Sequence, residues 1–182
     1  MEAAYAASEA HFPELHDRLR SVAVAANPPS HAADAAVTAG AKGETDVIGQ
    51  LEAMCSAIPG VSSLSLFRGV RLPDPEQGGH KEIDVVAVSH AGICVIEVKN
   101  WSGRVRAAPS GGWEQQRRGP GGTAGETLTH GDPIELLQRK ALLLHEFLAG
   151  SNIELAGMGG IECRLVMPNG NLTVDEVRGN DA

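Results

Sequence analysis

The feature that most constrains this chain is residues 82–101, EIDVVAVSHAGICVIEVKNW, where charged residues interrupt two apolar segments. Runs of Val and Ile favour β-strands, and we predict strands at Ile83–Val88 and Ile93–Lys99. The four residues Ser89–Gly92 between them are typical of a hairpin turn. The hairpin places both strands in one sheet, so its charges must be accommodated inside an apolar layer.

Three of those charges are Asp84, Glu97 and Lys99. Side chains two positions apart on a strand share a face, so Glu97 and Lys99 project together, and the hairpin can bring Asp84 close to them. Burying such groups is costly unless they are paired or bind a metal. Two carboxylates suit Mg²⁺ or Mn²⁺, with the Val98 carbonyl as a further candidate ligand. Lys99 could orient a water molecule or stabilise a phosphorane.

The rest of the pattern predicts an order of helix, three strands, helix and strand. The second helix has the clearest start, because Asp132 is a suitable N-cap, Pro133 follows it and Glu135 completes a capping box. We also predict a small hairpin and a Gly-rich loop. The expected helices are Glu44–Ile58 and Pro133–Ala149, the strands Leu64–Leu72, Ile83–Val88, Ile93–Lys99 and Ile161–Met167, the hairpin Arg104–Ala107 with Trp113–Gln116, and the loop 117–131.

Two polar residues are predicted to lie on the apolar faces of these helices. Glu44 precedes Ile48 and Leu51 at helical spacing, which points it inward. Gln138 falls on a stripe with Ile134, Ala141 and Leu148. Each has a local explanation as well, since Glu is favoured near a helix N-terminus and Gln is a good helix former.

We predict three segments in the chain. Residues 1–40 are Ala-rich and are expected to form a helix around 13–26 followed by a flexible linker. Residues 41–170 form the main domain, and residues 171–182 a polar C-terminal tail. The N-terminus lacks the pattern of a signal peptide and no long apolar run is present, so we expect no membrane span and a cytoplasmic or nuclear location.

The overall charge argues against a large surface for duplex nucleic acid. The formal net charge is -8 and the isoelectric point is near 5.3, whereas nucleic-acid-binding domains are more often basic. A local site is still compatible with this total, because acidic metal ligands contribute to it. The three dispersed cysteines match neither a disulfide framework nor a zinc site. Candidate phosphate contacts are Arg104, Arg106, Arg117, Arg118, Arg139 and Lys140.

These residues resemble the nuclease-related domain (NERD) family of the restriction-endonuclease-like superfamily. The resemblance spans roughly residues 43–167, and its most specific parts are E-I-D and E-V-K-N-W. It implies an α/β fold, a restriction-endonuclease-like core of α-β-β-β-α-β order with a mixed central sheet flanked by helices. It also implies that Asp84 and Glu97 bind the metal and that Lys99 is the catalytic lysine. Glu44 resembles the helix acid that serves as an additional metal ligand, directly or through water, and Gln138 resembles a polar active-site residue on the second helix.

The predicted function is hydrolysis of phosphodiester bonds in nucleic acid, with DNA as the expected substrate and Mg²⁺ or Mn²⁺ as cofactor. The alternative is a catalytically inactive nuclease-fold scaffold that binds nucleic acid or protein, which the acidic composition favours. Each charged residue taken alone has a simpler explanation, since an isolated Glu-x-Lys on a strand is most often a solvent-facing ion pair. The prediction therefore depends on the residues occurring together.

Overall fold

The computed structural model describes residues 13–23, 35–57, 64–89, 92–109, 111–151, 153 and 160–175. Within these ranges the chain forms three α-helices and eight strands, and none of the helices is long and apolar enough to span a membrane. The helices are α1 (13–22), α2 (Ala35–Ala57) and α3 (Pro133–Ala149). The strands are β1 (Ser65–Pro73), β2 (His80–Ser89), β3 (Gly92–Val98), β4 (Gly103–Ala107), β5 (Trp113–Arg118), β6 (Ala124–His130), β7 (Ile161–Val166) and β8 (Leu172–Val174).

The central sheet has the strand order β1-β2-β3-β7. Strand β2 is antiparallel to both β1 and β3, whereas β7 runs parallel to β3 after the crossover through α3. The register Ser89↔Gly92 confirms the predicted hairpin, although His90 and Ala91 lie outside the described residues. This mixed sheet flanked by helices confirms the α/β class, and the α-β-β-β-α-β order is present.

Alternating side chains of the central sheet build two apolar cores. Ile93 and Val95 of β3 belong to the larger core, which also contains residues of α1 and α3. Ile96 and Val98 belong to the smaller core against α2. Glu97 has the parity of Ile93 and Val95, so alternation directs its side chain toward α3.

A second sheet, of order β6-β5-β4-β8, lies between β3 and α3 in sequence and is completed by β8. Only its β4–β5 hairpin was predicted. The expected loop 117–131 is wrong for Ala124–His130, because those residues pair with β5 in the registers Trp113↔His130 and Gln115↔Leu128. Glycine is concentrated before this strand and obscured its pattern. The expected C-terminal tail likewise contains Leu172–Val174, which pairs with β4.

The N-terminal helix is part of the main domain rather than an appendage. Leu15 and Leu19 of α1 are fully buried in the larger core, and Ala23 bridges to Val70 of β1. Helix α2 begins at Ala35, within the segment that we expected to be a linker. Residues 24–34, which hold the end of the expected helix and the start of the expected linker, lie outside the described residues, as does Ile58.

Because Leu19 is fully buried, Leu19→Ala should lower the free energy of unfolding by roughly 2–5 kcal/mol, the range for cavity-forming Leu substitutions. Urea denaturation followed by circular dichroism measures this change. Arg20→Ala on the exposed side of α1 is the matched control, with an expected effect within about 0.5 kcal/mol. Equal stability of Leu19→Ala and the parent chain would contradict the assignment of α1 to the core.

Candidate metal and active site

The site forms where the central sheet opens at Asp84. The pairing of β2 with β3 runs from Ser89↔Gly92 and ends at Val85↔Ile96. Beyond that point the Val98 backbone N–H donates to Asp84 Oδ2 at 2.8 Å. A side-chain oxygen therefore takes the place of a backbone carbonyl, which holds the Asp84 carboxylate at the end of β3.

On its other side, β2 also breaks its pairing at Asp84. The β1–β2 register passes from Arg68↔Val85 to Val70↔Ile83, and it leaves out Gly69 and Asp84. Gly69 has a φ of 56°, a left-handed conformation that glycine adopts without steric cost. Asp84 therefore lies within β2 but is paired with neither β1 nor β3. This break in the pairing is how an aspartate is accommodated among the Val and Ile residues of the strand.

The Glu97 carboxylate is the most deeply buried charge of the site, with only 1% of the residue exposed. Its Oε1 accepts a hydrogen bond from Lys99 Nζ at 2.6 Å. This contact confirms that the two side chains lie on the same side. The Lys99 side chain is 26% exposed, so its ammonium group contacts the buried carboxylate on one side and solvent on the other.

A second lysine, Lys140 of α3, donates to Glu97 Oε2. Its side chain is only 7% exposed. Lys140 is among the candidate phosphate contacts from the sequence, and its burial against Glu97 argues against that role. A sequence signal was available, because Lys140 follows Leu137 by three residues and precedes Leu144 by four, which places it on the buried stripe of α3.

Glu44 lies near these groups, half-buried on α2. Burial raises the pKa of the Glu44 carboxyl above its ordinary value, and the Asp84 charge raises this pKa further. Because α2 begins at Ala35, Glu44 lies beyond the first turn, and no acidic residue occupies that turn. The helix-dipole explanation for Glu44 is therefore wrong, and its position among carboxylates needs another cause.

The close approach of α2 to the site depends on Gly43. A β-carbon on this buried residue would lie 2.8 Å from Asn100 Cβ, closer than such atoms approach in folded proteins. Asn100 directly follows Lys99. Glycine at position 43 thus lets the helix that carries Glu44 pack against the loop that carries the lysine.

Gln138 is exposed, and the predicted inward stripe through Ile134, Gln138 and Ala141 is wrong in phase. The buried residues of α3 are Pro133, Leu137, Lys140, Leu143, Leu144 and Leu148. The N-cap confirms the predicted start of the helix, since Asp132 Oδ1 accepts from the Ile134 N–H at 2.8 Å. A part for Gln138 in catalysis stays a prediction.

Most of the expected phosphate contacts are held by acidic partners. Arg139 donates to the buried Asp74 at 2.9 Å and pairs with Glu76, which fixes α3 to the β1–β2 turn. The Arg139 hydrogen bond also lowers the pKa of Asp74. Arg104 pairs with Asp175, and Arg106 with Glu114. Within the described residues, Arg117 and Arg118 form no salt bridge.

The second sheet contacts the loop after Lys99 through Gln115 and His130, two residues that the sequence did not single out. Gln115, 3% exposed, donates to the Ser102 carbonyl at 2.8 Å, which leaves its side-chain oxygen 3.1 Å from His130 Nε2. The His130 ring stacks on Trp101, with ring centroids 4.3 Å apart. Burial lowers the pKa of His130. Because the Gln115 side-chain oxygen can only accept, His130 Nε2 donates to it.

The carboxylates fit a divalent cation in chemistry, although they do not form a complete ligand set. Burial is the largest cause that raises the pKa of Asp84, and the Glu97 charge is the next. These causes outweigh the opposing effect of the Lys140 and Lys99 charges on the Asp84 pKa. Carboxylate oxygens are the donors that Mg²⁺ prefers. Across the part of the chain that the structure describes, no three His, Cys, Asp or Glu residues are grouped closely enough to hold a metal.

Comparison with protein families matches residues 39–168 to a family described as nuclease-related domain. The match covers well over half of the chain and includes every residue of the site. The chain belongs to the nuclease-related domain (NERD) family. The resemblance inferred from E-I-D and E-V-K-N-W is thereby confirmed.

The NERD domain is also similar to part of a curated protein named "Probable kinase PglW" from Streptomyces coelicolor. The two are 34% identical over 110 residues, a match that covers 54% of this chain and 7% of that protein. The chain therefore spans a small fraction of this relative. No solved structure matches the chain.

The raised pKa of Asp84 predicts how the stability of the fold depends on pH. A carboxyl whose pKa is higher in the folded than in the unfolded state opposes folding when ionised, and this cost is absent below the unfolded value near 3.8. Asp84→Asn keeps an acceptor for the Val98 N–H and removes the charge. Its melting temperature in metal-free buffer should exceed that of the parent by a few degrees at pH 8.

The gain should shrink as the pH is lowered toward 3.8, which differential scanning calorimetry across pH can follow. Glu162→Gln, which removes an exposed carboxylate from β7, is the matched control and should change little. A lower melting temperature for Asp84→Asn at every pH would show that the Asp84 charge supports the fold.

Proposed function

We propose that this NERD domain is a Mg²⁺-dependent nuclease that hydrolyses phosphodiester bonds in nucleic acid, with DNA as substrate. One observation carries the proposal: Asp84, Glu97 and Lys99 come together at the opening of the central sheet, and Glu44 approaches from α2. A buried carboxylate and two carboxyls with raised pKa values are an expensive arrangement for a purely structural role. We also propose a cytoplasmic or nuclear location, where DNA is found.

In this proposal Asp84 and Glu97 would hold the cation, with Glu44 and the Val98 carbonyl as further ligands. The carboxylates would have to move closer together than they lie here to share one ion. Bound Mg²⁺ or Mn²⁺ would lower the pKa of a coordinated water and neutralise charge on the phosphate. The carboxylates contribute negative charge, which concentrates the cation at the end of β3. The Asp84–Val98 hydrogen bond keeps the Val98 backbone beside this charge.

Lys99 acts on the reacting phosphate. Its ammonium group is anchored to Glu97 Oε1 yet partly exposed, so it can stabilise negative charge that develops on the phosphoryl oxygens. The stack of Trp101 on His130 and the Gln115–Ser102 hydrogen bond hold the loop that presents this lysine. Gln138 on the exposed side of α3 is a candidate for contacts with the substrate.

The proposal is tested with the 182-residue chain, supercoiled plasmid, single-stranded DNA and RNA, each with Mg²⁺, Mn²⁺ or chelator. Asp84→Asn and Lys99→Met should each lower the cleavage rate by about 100-fold or more, the scale for loss of a catalytic group. Glu162→Gln is the matched control and should cleave like the parent. Equal cleavage by all four proteins would assign any activity to a contaminant.

Two arginines of the second sheet are the best-placed phosphate contacts. Arg117 and Arg118 are exposed, and they line a groove of about 370 Å³ whose lining also includes Gly103, four residues after Lys99 in the sequence. The groove also contains side chains that can donate to phosphate oxygens. Its polar lining includes Arg104, Gln116, Arg117, Arg118, Thr123 and Thr173.

If this groove binds the nucleic-acid backbone, Arg117→Ala and Arg118→Ala should weaken binding at every sequence. Each should also reduce the slope of log affinity against log salt by about 0.7–0.9, the value for one phosphate contact. Fluorescence anisotropy of labelled DNA with Asp84→Asn as the background measures binding without cleavage. Arg164→Ala on β7 is the control, and an unchanged slope in both groove variants would place the DNA elsewhere.

The alternative function is a nuclease-fold scaffold that binds nucleic acid or protein without cleavage. The observation that favours it is that both Glu97 oxygens are engaged by lysine ammonium groups. Calorimetric titration with Mn²⁺ separates the two functions. Binding that Asp84→Asn abolishes supports the enzyme, whereas intact folding with no binding and no cleavage supports the scaffold.

A further inference from the structure

The most unusual group of the site is the buried ammonium of Lys140, which no part of the proposed mechanism uses. Its side chain is 7% exposed and donates to Glu97 Oε2, while Lys99 holds Oε1. We infer that Lys140 is an internal counter-ion, which holds Glu97 in the metal-free protein and competes with a divalent cation for Oε2. The inference rests on the proposed metal site.

The two lysines differ in their freedom to leave Glu97. Lys99 follows β3 in a loop and is 26% exposed, so its ammonium can move into solvent. Lys140 projects from a well-defined helix whose neighbouring buried positions, Leu137 and Leu144, belong to the larger core. Withdrawal of its charge from Glu97 into this apolar surrounding is unfavourable unless another anion replaces the Glu97 carboxylate as its partner.

This arrangement has two consequences. In the metal-free protein, Glu97 is already neutralised, so the domain folds without a metal ion. When a divalent cation approaches Glu97, it meets the positive charge of Lys140, and repulsion between them weakens metal binding. Lys140 therefore lowers the metal affinity of the site. Its positive charge also reduces the number of cations that the carboxylates would otherwise attract. It is a positioning residue for Glu97.

The test measures Mn²⁺ affinity of the full chain by isothermal titration calorimetry, with melting temperature in metal-free buffer as a second readout. Lys140→Met and Lys140→Gln should bind Mn²⁺ roughly tenfold or more tightly than the parent. Without metal, Lys140→Met should melt at lower temperature, and Lys140→Gln less so because its amide can still donate to Glu97. Arg164→Met removes an exposed positive charge and should change neither readout.

Affinity equal to or weaker than that of the parent in both variants would overturn the inference. In that case, the proposed function would still be supported if the parent chain binds Mn²⁺ and Asp84→Asn does not. If neither the parent nor the Lys140 variants bind Mn²⁺, the inference and the metal-dependent function both fail.

If the Lys140 variants do not fold, the parent chain can still test the inference. It has only four lysines, so few ammonium signals have to be assigned. Proton–nitrogen spectra of the lysine ammonium groups can follow Lys140 during a Mg²⁺ titration. The Lys140 signal should move or broaden, while Lys42 and Lys81 should stay unchanged. A Lys140 signal that stays unchanged at saturating Mg²⁺ would overturn the inference.

Discussion

The carboxylate of Glu97, buried between two lysines, is the constraint on which the arrangement of this domain depends. A lone carboxylate that is 1% exposed would be strongly destabilising, and removal of one partner from a buried pair typically costs about 3–5 kcal/mol. The fold meets this constraint from two directions, through the Lys99 loop and through Lys140 of α3. The contact with α3 fixes the position of the crossover helix above the central sheet.

The same region concentrates negative charge that the fold does not fully neutralise. The pKa values of Asp84 and Glu44 are both raised, in each case first by burial and then by a neighbouring carboxylate. Such groups oppose folding at neutral pH. The two aliphatic cores on either side of β3 must offset this cost, and these cores begin directly beside the site, with Val95 on one face and Ile96 on the other.

Local pattern was enough to predict the strands of the hairpin, the shared side of Glu97 and Lys99, and the start of α3 at Asp132. It failed where a position depends on a distant partner. Gln138 was placed on the wrong face because Ile134 and Ala141 suggested a stripe that is offset from the buried one by about one residue. Lys140 is a candidate phosphate contact from the sequence, because its burial requires Glu97, a residue on another element.

The second sheet shows how a segment that the sequence predicts to be a Gly-rich loop can serve the site. Its strand β6 has weak local preference, yet the strand forms because its residues pair with β5, and His130 of that strand stacks on Trp101. Gln115 of β5 fixes the Ser102 carbonyl in the same loop. Since Lys99 begins this loop, the sheet restrains the segment that presents the ammonium group. The same sheet also exposes Arg117 and Arg118, so in the proposed nuclease one structural unit would carry both the arginines that contact phosphate and the restraint on the lysine loop.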